Sequence, residues 1–337
     1  MITIYRKLDK QNQPQIHAFS LKIGENIPDD TLWVDIQSGT SIEEQAVVAA
    51  QLGMQMPSQM EIWKNHVLNR LYMECGIAYM TAAIITKADS PYPATSAVTF
   101  ILSQKCLLTL RSIAPTSFNN FALRVQRPSE NFPTSERILE GLLEEIITRV
   151  AHNSEVVVET LDELSHSIFG TDFDTDTPKE KSKSASNLMK DALKTLGGCA
   201  DLNSKINESL HSLHRMLCFF KQIAPMHKED TAIDNDIDIL VTDTIALSQQ
   251  TAFLSDKITF QLDATLGMIN VEQNLIIKIF SVVAVFFLPP TLVSSMYGMN
   301  FHNMPELSWE FGYPMAITIM TSCAVIPYLY FRRKGWL

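Results

Sequence analysis

Near the C-terminus stand four residues whose types could do chemistry together, Tyr297-Gly298-Met299-Asn300, with Glu306 and Glu310 a few residues on. The chemistry they offer is cation handling. Asn300 brings an amide carbonyl, the two glutamates bring negative charge, and Gly298 permits a sharp backbone exit. Mg²⁺ is small, holds its waters tightly and prefers oxygen ligands. A ring of amide carbonyls would hold such an ion through its water shell, while acids nearby concentrate cations at the mouth. One chain supplies one carbonyl, so a ring needs several copies, and the flanking elements must bring them together.

Those elements are two uncharged apolar runs, Ile279–Met296 and Phe311–Phe331. Each is about as long as a helix needs to cross a ~30 Å hydrocarbon core. Lys278 opens the first run and Arg332-Arg333-Lys334 follow the second, while the stretch 301–310 holds no Lys or Arg. By the positive-inside rule both termini face the cytoplasm and the short loop faces out. A basic tail, 332–337, closes the chain.

Steps of three and four residues through the first run pick out Asn274, Ile277, Ser281, Ala284, Leu288, Thr291 and Ser295. Most are small or polar, whereas Phe280, Val283, Phe286 and Phe287 lie between them. Polar atoms hidden from water must be satisfied. Several copies of this helix around an axis would satisfy them by lining a pore. Continued downward, the stripe reaches Asn270, Gly267, Asp263, Phe260, Asp256 and Phe253, a vestibule with two carboxylates. A packing face between helices would also favour small residues; the loop above weighs toward a pore. The spacing fits roughly three to six helices about equally well.

Upstream, ITIY, IHAFSLKI and TLWVDI alternate like strands. SIEEQAVVAAQLG has a capping box, Ser41 with Glu44, and a glycine stop, so it is a helix; MPSQMEIWKNHVL starts another. RLYMECGIAYMTAAIIT and AVTFILSQKCLLTLRS return to strand character. Residues 1–130 therefore read as an α/β domain. From Ser135 the period turns helical, with apolar residues at 138, 142, 146, 150, 157, 161, 164 and 168. A helical hairpin covers 131–228, its tip a flexible loop at 171–186. A last helix begins near Asp230 and meets no proline before Pro289. It makes a stalk of about 100 Å that continues into the first span, so that stalk and span together cover 229–296, the span itself about 275–296. The loop is 297–310 and the second span 311–331. The fold class is thus a membrane protein: a cytoplasmic α/β domain, long antiparallel helices, a very long stalk helix continuing into the first span, then the second.

A net charge of −10 argues against nucleic acid as a partner. The N-terminus has no apolar stretch of the signal-peptide kind. The five cysteines form no CxxC pair and read as free thiols; His211 and His214 lack a third ligand for zinc. No GxxxxGK[ST] stretch, nucleophile elbow or paired carboxylates argue for an enzyme or an ATP-driven pump.

YGMNFHNMPELSWEFGYP, the closing PYLYFRRKGWL and the approach NVEQNLIIKIFSVVAVFFLPPTLVSS closely resemble the CorA family of magnesium channels. LWVDI, GIAYMTAAII and LLTLRS sit where that family has its cytoplasmic sheet. The resemblance implies a homopentamer in the bilayer of the cell inner membrane, with the first span lining the pore and the second surrounding it. Tyr297, Gly298, Met299 and Asn300 would form the selectivity ring; Asn274, Ile277, Leu288 and Thr291 match positions that line or constrict the family's pore. It further implies Mg²⁺ influx, with Co²⁺ and Ni²⁺ as further cargo, and closure by intracellular Mg²⁺ bridging carboxylates of neighbouring subunits. Candidates for that regulatory site are Asp89 in the sheet domain and Asp236, Asp238 or Asp243 on the stalk, since Ile239 stands where some members carry the stalk acid. Two other readings stay open: a zinc-transporting relative of the same fold, and a tethered sensor whose spans only anchor it.

Overall fold

The computed structural model describes residues 1–10, 13–21, 25–37, 39–55, 71–90, 92–128, 132–169, 178–223, 231–299 and 309–335. The second short helix expected after Met56 lies outside them. Two compact units emerge, Met1–Leu262 and Asp263–Leu337.

In the first unit, seven strands form one sheet: β1 (Ile2–Lys10), β2 (Gln13–Ser20), β3 (Thr31–Gln37), β4 (Leu71–Glu74), β5 (Ile77–Thr86), β6 (Ala94–Leu102) and β7 (Leu107–Arg111). Their order is β2-β1-β3-β7-β6-β5-β4. Every pairing is antiparallel except β3 with β7, which runs Trp33 beside Leu107 through Gln37 beside Arg111. A parallel pair has no hairpin to hold its register. Here buried side chains help to hold it. Arg111 Nη2 donates to Asp35 Oδ2 at 2.8 Å, Thr109 Oγ1 to Asp35 Oδ1 at 2.8 Å, and Trp33 Nε1 to Thr109 Oγ1 at 3.0 Å. Breaking such a dry, fully bonded pair from one side leaves a buried charge and costs about 3–5 kcal/mol. LWVDI and LLTLRS are thus two halves of one lock.

Helix α1 (Ile42–Gln51) begins with the expected box: Ser41 Oγ accepts from Glu44 N, and Glu44 Oε2 accepts from Ser41 N. Gly53 follows it with φ +70°, a value that favours glycine. Helix α1 packs Val48 and Ala49 on one sheet face, with Ile4, Val34, Ile36 and Leu108. The other face carries Trp33, Met80, Phe100 and Leu107 and is covered by α2 (Thr116–Arg124), α3 (Ser135–Phe169) and α4 (Pro178–Ile223). Burial holds the core thiol of Cys106 up at about 12, so it stays protonated and inert. All five cysteines are free.

Beyond β4, residues 81–86 of β5 have no strand partner on that side among the described residues. Helix α4 covers this edge. Ser209 Oγ donates to Ala83 O at 2.7 Å, and Ala83 N donates to Ser212 Oγ at 2.9 Å. An open strand edge is a template for unwanted pairing, and these two serines occupy it.

One reading needs correction. Of the segment 171–186, expected to be a loop, residues 178–186 are helical, since α4 begins at Pro178, and residues 171–177 lie outside the described residues. Proline suits a first helical position, and Lys, Glu and Ala sustain a helix without an apolar face. PKEKSKSAS is helical although it carries no apolar period.

Candidate functional site

Helix α5 (Thr231–Tyr297) runs 67 residues and carries the whole stripe. Its lower half shows two faces. Ile237, Leu240, Thr244, Thr251, Leu254, Ile258 and Gln261 are buried, at steps of three, four and seven. They face α3 and α4. Asn203 Nδ2 donates to Thr251 O and Ser255 Oγ, both at 2.9 Å, and Gln261 Nε2 donates to Leu161 O at 2.9 Å. Lys257 pairs with Asp162 at 2.5 Å. Shift that series by two residues, about 200° around the helix, and it becomes Phe253, Asp256, Phe260 and Asp263. These are exposed in the single chain; Phe253 and Phe260 each stand 65% open. The inner face was not singled out in the sequence, although its three-four spacing was there to find.

Higher up, Asn270, Asn274, Ile277, Ser281, Ala284, Leu288, Thr291 and Ser295 are all exposed, Leu288 at 66%. Two hydroxyls on this stripe share one arrangement. Ser281 Oγ donates to Ile277 O at 2.8 Å, and Thr291 Oγ1 to Phe287 O at 2.7 Å. Each hydroxyl spends its single proton on its own helix, so its lone pairs remain as acceptors. An oxygen in that state receives hydrogen bonds from water around a cation and does not compete with its charge.

Pro289 and Pro290 lie inside α5. They bring no N–H to the carbonyls of Val285 and Phe286, four residues before. At the top, Gly298 N donates to Ser294 O at 3.0 Å. Gly298 does not adopt the left-handed backbone expected of a sharp exit. A Cβ there would meet Ser294 O at 3.2 Å, so the glycine serves close approach to the helix end instead. Met299 is exposed, as is Glu310. Asn300 and Glu306 lie outside the described residues. Helix α6 (Gly312–Arg333) follows. Both α5 and α6 contain stretches long and apolar enough to cross a membrane, with mean hydropathy 2.2 and 1.5, and those stretches are 0% and 6% buried within the chain.

The four candidate regulatory carboxylates do not form one cluster. Asp89 pairs with Arg149 at 3.0 Å, Asp236 with Arg137 at 2.6 Å, and Asp238 with Lys221. Asp243 is exposed and has no ion pair among the described residues. No three His, Cys, Asp or Glu side chains among the described residues gather as metal ligands. Below Asp236 lies a residue the sequence did not flag. Glu140 is largely buried beside Arg137, 3.6 Å away. Burial, opposed by the Arg137 charge, pushes its carboxyl up to about 6. His214 Nδ1 meets Thr244 Oγ1 at 3.2 Å between α4 and α5, a packing contact rather than half of a zinc site.

A family model described as "CorA-like Mg2+ transporter protein" matches residues 29–333. A Haemophilus ducreyi protein named "Magnesium transport protein CorA" is 32% identical over 333 residues, covering 96% of this chain and all of its own length. A Salmonella typhimurium protein of the same name is 32% identical over 316 residues, covering 91% and 92%. Among solved structures, the complete CorA magnesium transporter from Methanocaldococcus jannaschii superposes with TM-score 0.74 at 18% identity, covering 100% of this chain and 99% of its own. The full-length CmaX protein does so with TM-score 0.62 at 14% identity, covering 100% and 98%. An exposed polar stripe, two apolar helices and a match through almost the entire sequence converge: this chain belongs to the CorA-like Mg²⁺ transporter family.

Proposed function

We propose that this chain conducts Mg²⁺ across the inner membrane as a homopentamer, down its electrochemical gradient and without enzymatic chemistry. The observation that carries the reading is the exposed stripe of α5, which offers acceptor oxygens at Ser281 and Thr291. Copies joined along it would enclose a path with Asp256, Asp263, Asn270 and Asn274 below and Ile277 and Leu288 as apolar constrictions. Tyr297, Gly298, Met299 and Asn300 would close the outer mouth as the selectivity ring, with Glu306 and Glu310 drawing cations in. Ala284 and Ser295 keep the wall narrow between them. Both termini face the cytoplasm, and Co²⁺ and Ni²⁺ follow the same path.

Intracellular Mg²⁺ acts as a regulatory ligand at Asp89, Asp236, Asp238 or Asp243. Three of these already hold a cationic side chain in the single chain. A bridging ion therefore replaces Arg149, Arg137 or Lys221, which sets Mg²⁺ binding against an intrachain pair rather than against water alone.

Flux into proteoliposomes tests the reading. The wild-type protein takes up Mg²⁺, and Asn300→Ala lowers uptake at least tenfold while the protein still assembles. Zn²⁺ uptake without Mg²⁺ uptake would favour the zinc-transporting alternative. An Asn300→Ala protein with full Mg²⁺ uptake would sink the selectivity ring.

A further inference from the structure

Within the second unit, α5 and α6 leave an open apolar cleft. Val283, Phe286 and Phe287 line it from α5, and Pro327, Tyr328 and Phe331 from α6. With Val282 included, the α5 lining is centred roughly 180° around the helix from Ser281 and Leu288 at about 100° per residue. The cleft therefore lies on the far side from the conduction stripe. Immediately after Phe331 come Arg332, Arg333 and Lys334, all exposed. No ion pair engages these three among the described residues; Lys334 Nζ stands 5.3 Å from the centre of the Tyr330 ring.

An apolar slot whose last lining residue on α6 is followed in sequence by three exposed basic residues has the polarity of one ligand class. We propose that this cleft binds an anionic phospholipid of the cytoplasmic leaflet, an acyl chain lying between α5 and α6 and the phosphate against Arg332, Arg333 and Lys334. The positive-inside rule explains basic residues after a span, but not an apolar slot ending beside them. Charge complementarity selects the occupant: a neutral lipid or a neighbouring apolar helix would fill the slot and leave the three cations unanswered. Basic residues near the surface attract anionic lipid, and three together support a preference on the order of a hundredfold over a zwitterionic lipid. The inference rests on the membrane-spanning reading of α5 and α6, and its readout is lipid binding rather than ion flux.

The full-length protein, purified in mild detergent, is titrated with dioleoyl phosphatidylglycerol or dioleoyl phosphatidylcholine, and bound lipids per subunit are counted by native mass spectrometry. The expected result is about one phosphatidylglycerol per subunit retained at concentrations where phosphatidylcholine is lost. Replacing Arg332, Arg333 and Lys334 together by Gln brings the preference below threefold. Val283→Trp fills the slot, leaves the charges in place and removes the retained lipid at unchanged subunit number. Equal retention of the two lipids overturns the proposal. So does a Val283→Trp protein that keeps its phosphatidylglycerol, since the basic tail alone then accounts for binding. A Val283→Trp protein that loses subunits while lipid counts stay fixed would assign the cleft to a second copy of the chain, and overturns it as well.

Discussion

Glu140 shows what a single carboxylate does when burial outweighs its partner. An ordinary glutamate ionises near 4.5, and this one near 6, because removal from water disfavours the charge more than Arg137 favours it. In the unfolded chain the group gives up its proton first. Stability is therefore greatest below pH 4.5 as far as Glu140 is concerned, and falls as pH rises to about 6, by up to about 2 kcal/mol. Glu140→Gln removes that loss. Thermal unfolding of the solubilised protein should show the variant more stable than wild type at pH 7, with the difference vanishing near pH 4.5. A variant less stable at pH 7 would mean that the Arg137 contact outweighs burial.

Helix α5 makes sense as two opposed seams rather than one. Leu254 packs within its own chain, whereas Phe253, its neighbour in sequence, is exposed, and Phe260 on the same outer stripe meets only the edge of α3 at Phe169, ring centres 6.5 Å apart. Leu254 is 1% exposed. Leu254→Ala should cost about 2–5 kcal/mol of stability, since it opens a cavity between α5 and its packed helices. Unfolding in denaturant measures it, and a cost within 0.5 kcal/mol, about what an exposed site shows, would place the seam elsewhere. Much of this element was legible beforehand. Its start near Asp230, its passage through both prolines and the small-polar stripe all follow from spacing. The inner seam was harder to read because Thr244, Thr251 and Gln261 are buried polar residues, and an apolar filter passes over them. The start of α4 at Pro178 is hard to read for the opposite reason: PKEKSKSAS has no apolar period, and its charged and small residues suit a loop as well as a helix. Gly298 suits its place through close approach to Ser294 O rather than through a left-handed backbone. A close contact to a carbonyl cannot be seen in a sequence, whereas a glycine's freedom can be assumed too readily.

In the complete molecule, exposed apolar residues are where a single chain is unfinished. Phe253, Phe260, Ile277 and Leu288, set at three-four spacing in the sequence, expose between 61% and 66% of their surface, with Phe260 also stacked on Phe169. Single exposed apolar residues need no explanation, but an aligned set marks a surface meant to be covered. Phe253→Asp puts a charge into that surface without touching the packed seam. Light scattering after size exclusion should report smaller assemblies, while the unfolding midpoint of the α/β domain stays put. Full assembly with Phe253→Asp would show that this seam does not hold copies together. The wild-type chain and Leu254→Ala form the natural pair of controls, one intact and one weakened from the other side of the same helix.

The serines that cover β5 have a consequence in time. Ser209 lies 126 residues after its partner Ala83. At roughly 5–20 residues per second of synthesis, β5 waits on the order of 6–25 s on the ribosome before α4 exists to cover it. During that wait no described residue made so far pairs with the strand edge from Thr81 to Thr86, which is then a template for another chain. Crowded synthesis, at high expression or on closely spaced ribosomes, therefore threatens this protein through its sheet before its apolar helices have even emerged. Losses during production should respond to slower translation or to a holdase that reaches the nascent sheet, and less to the detergent chosen afterwards.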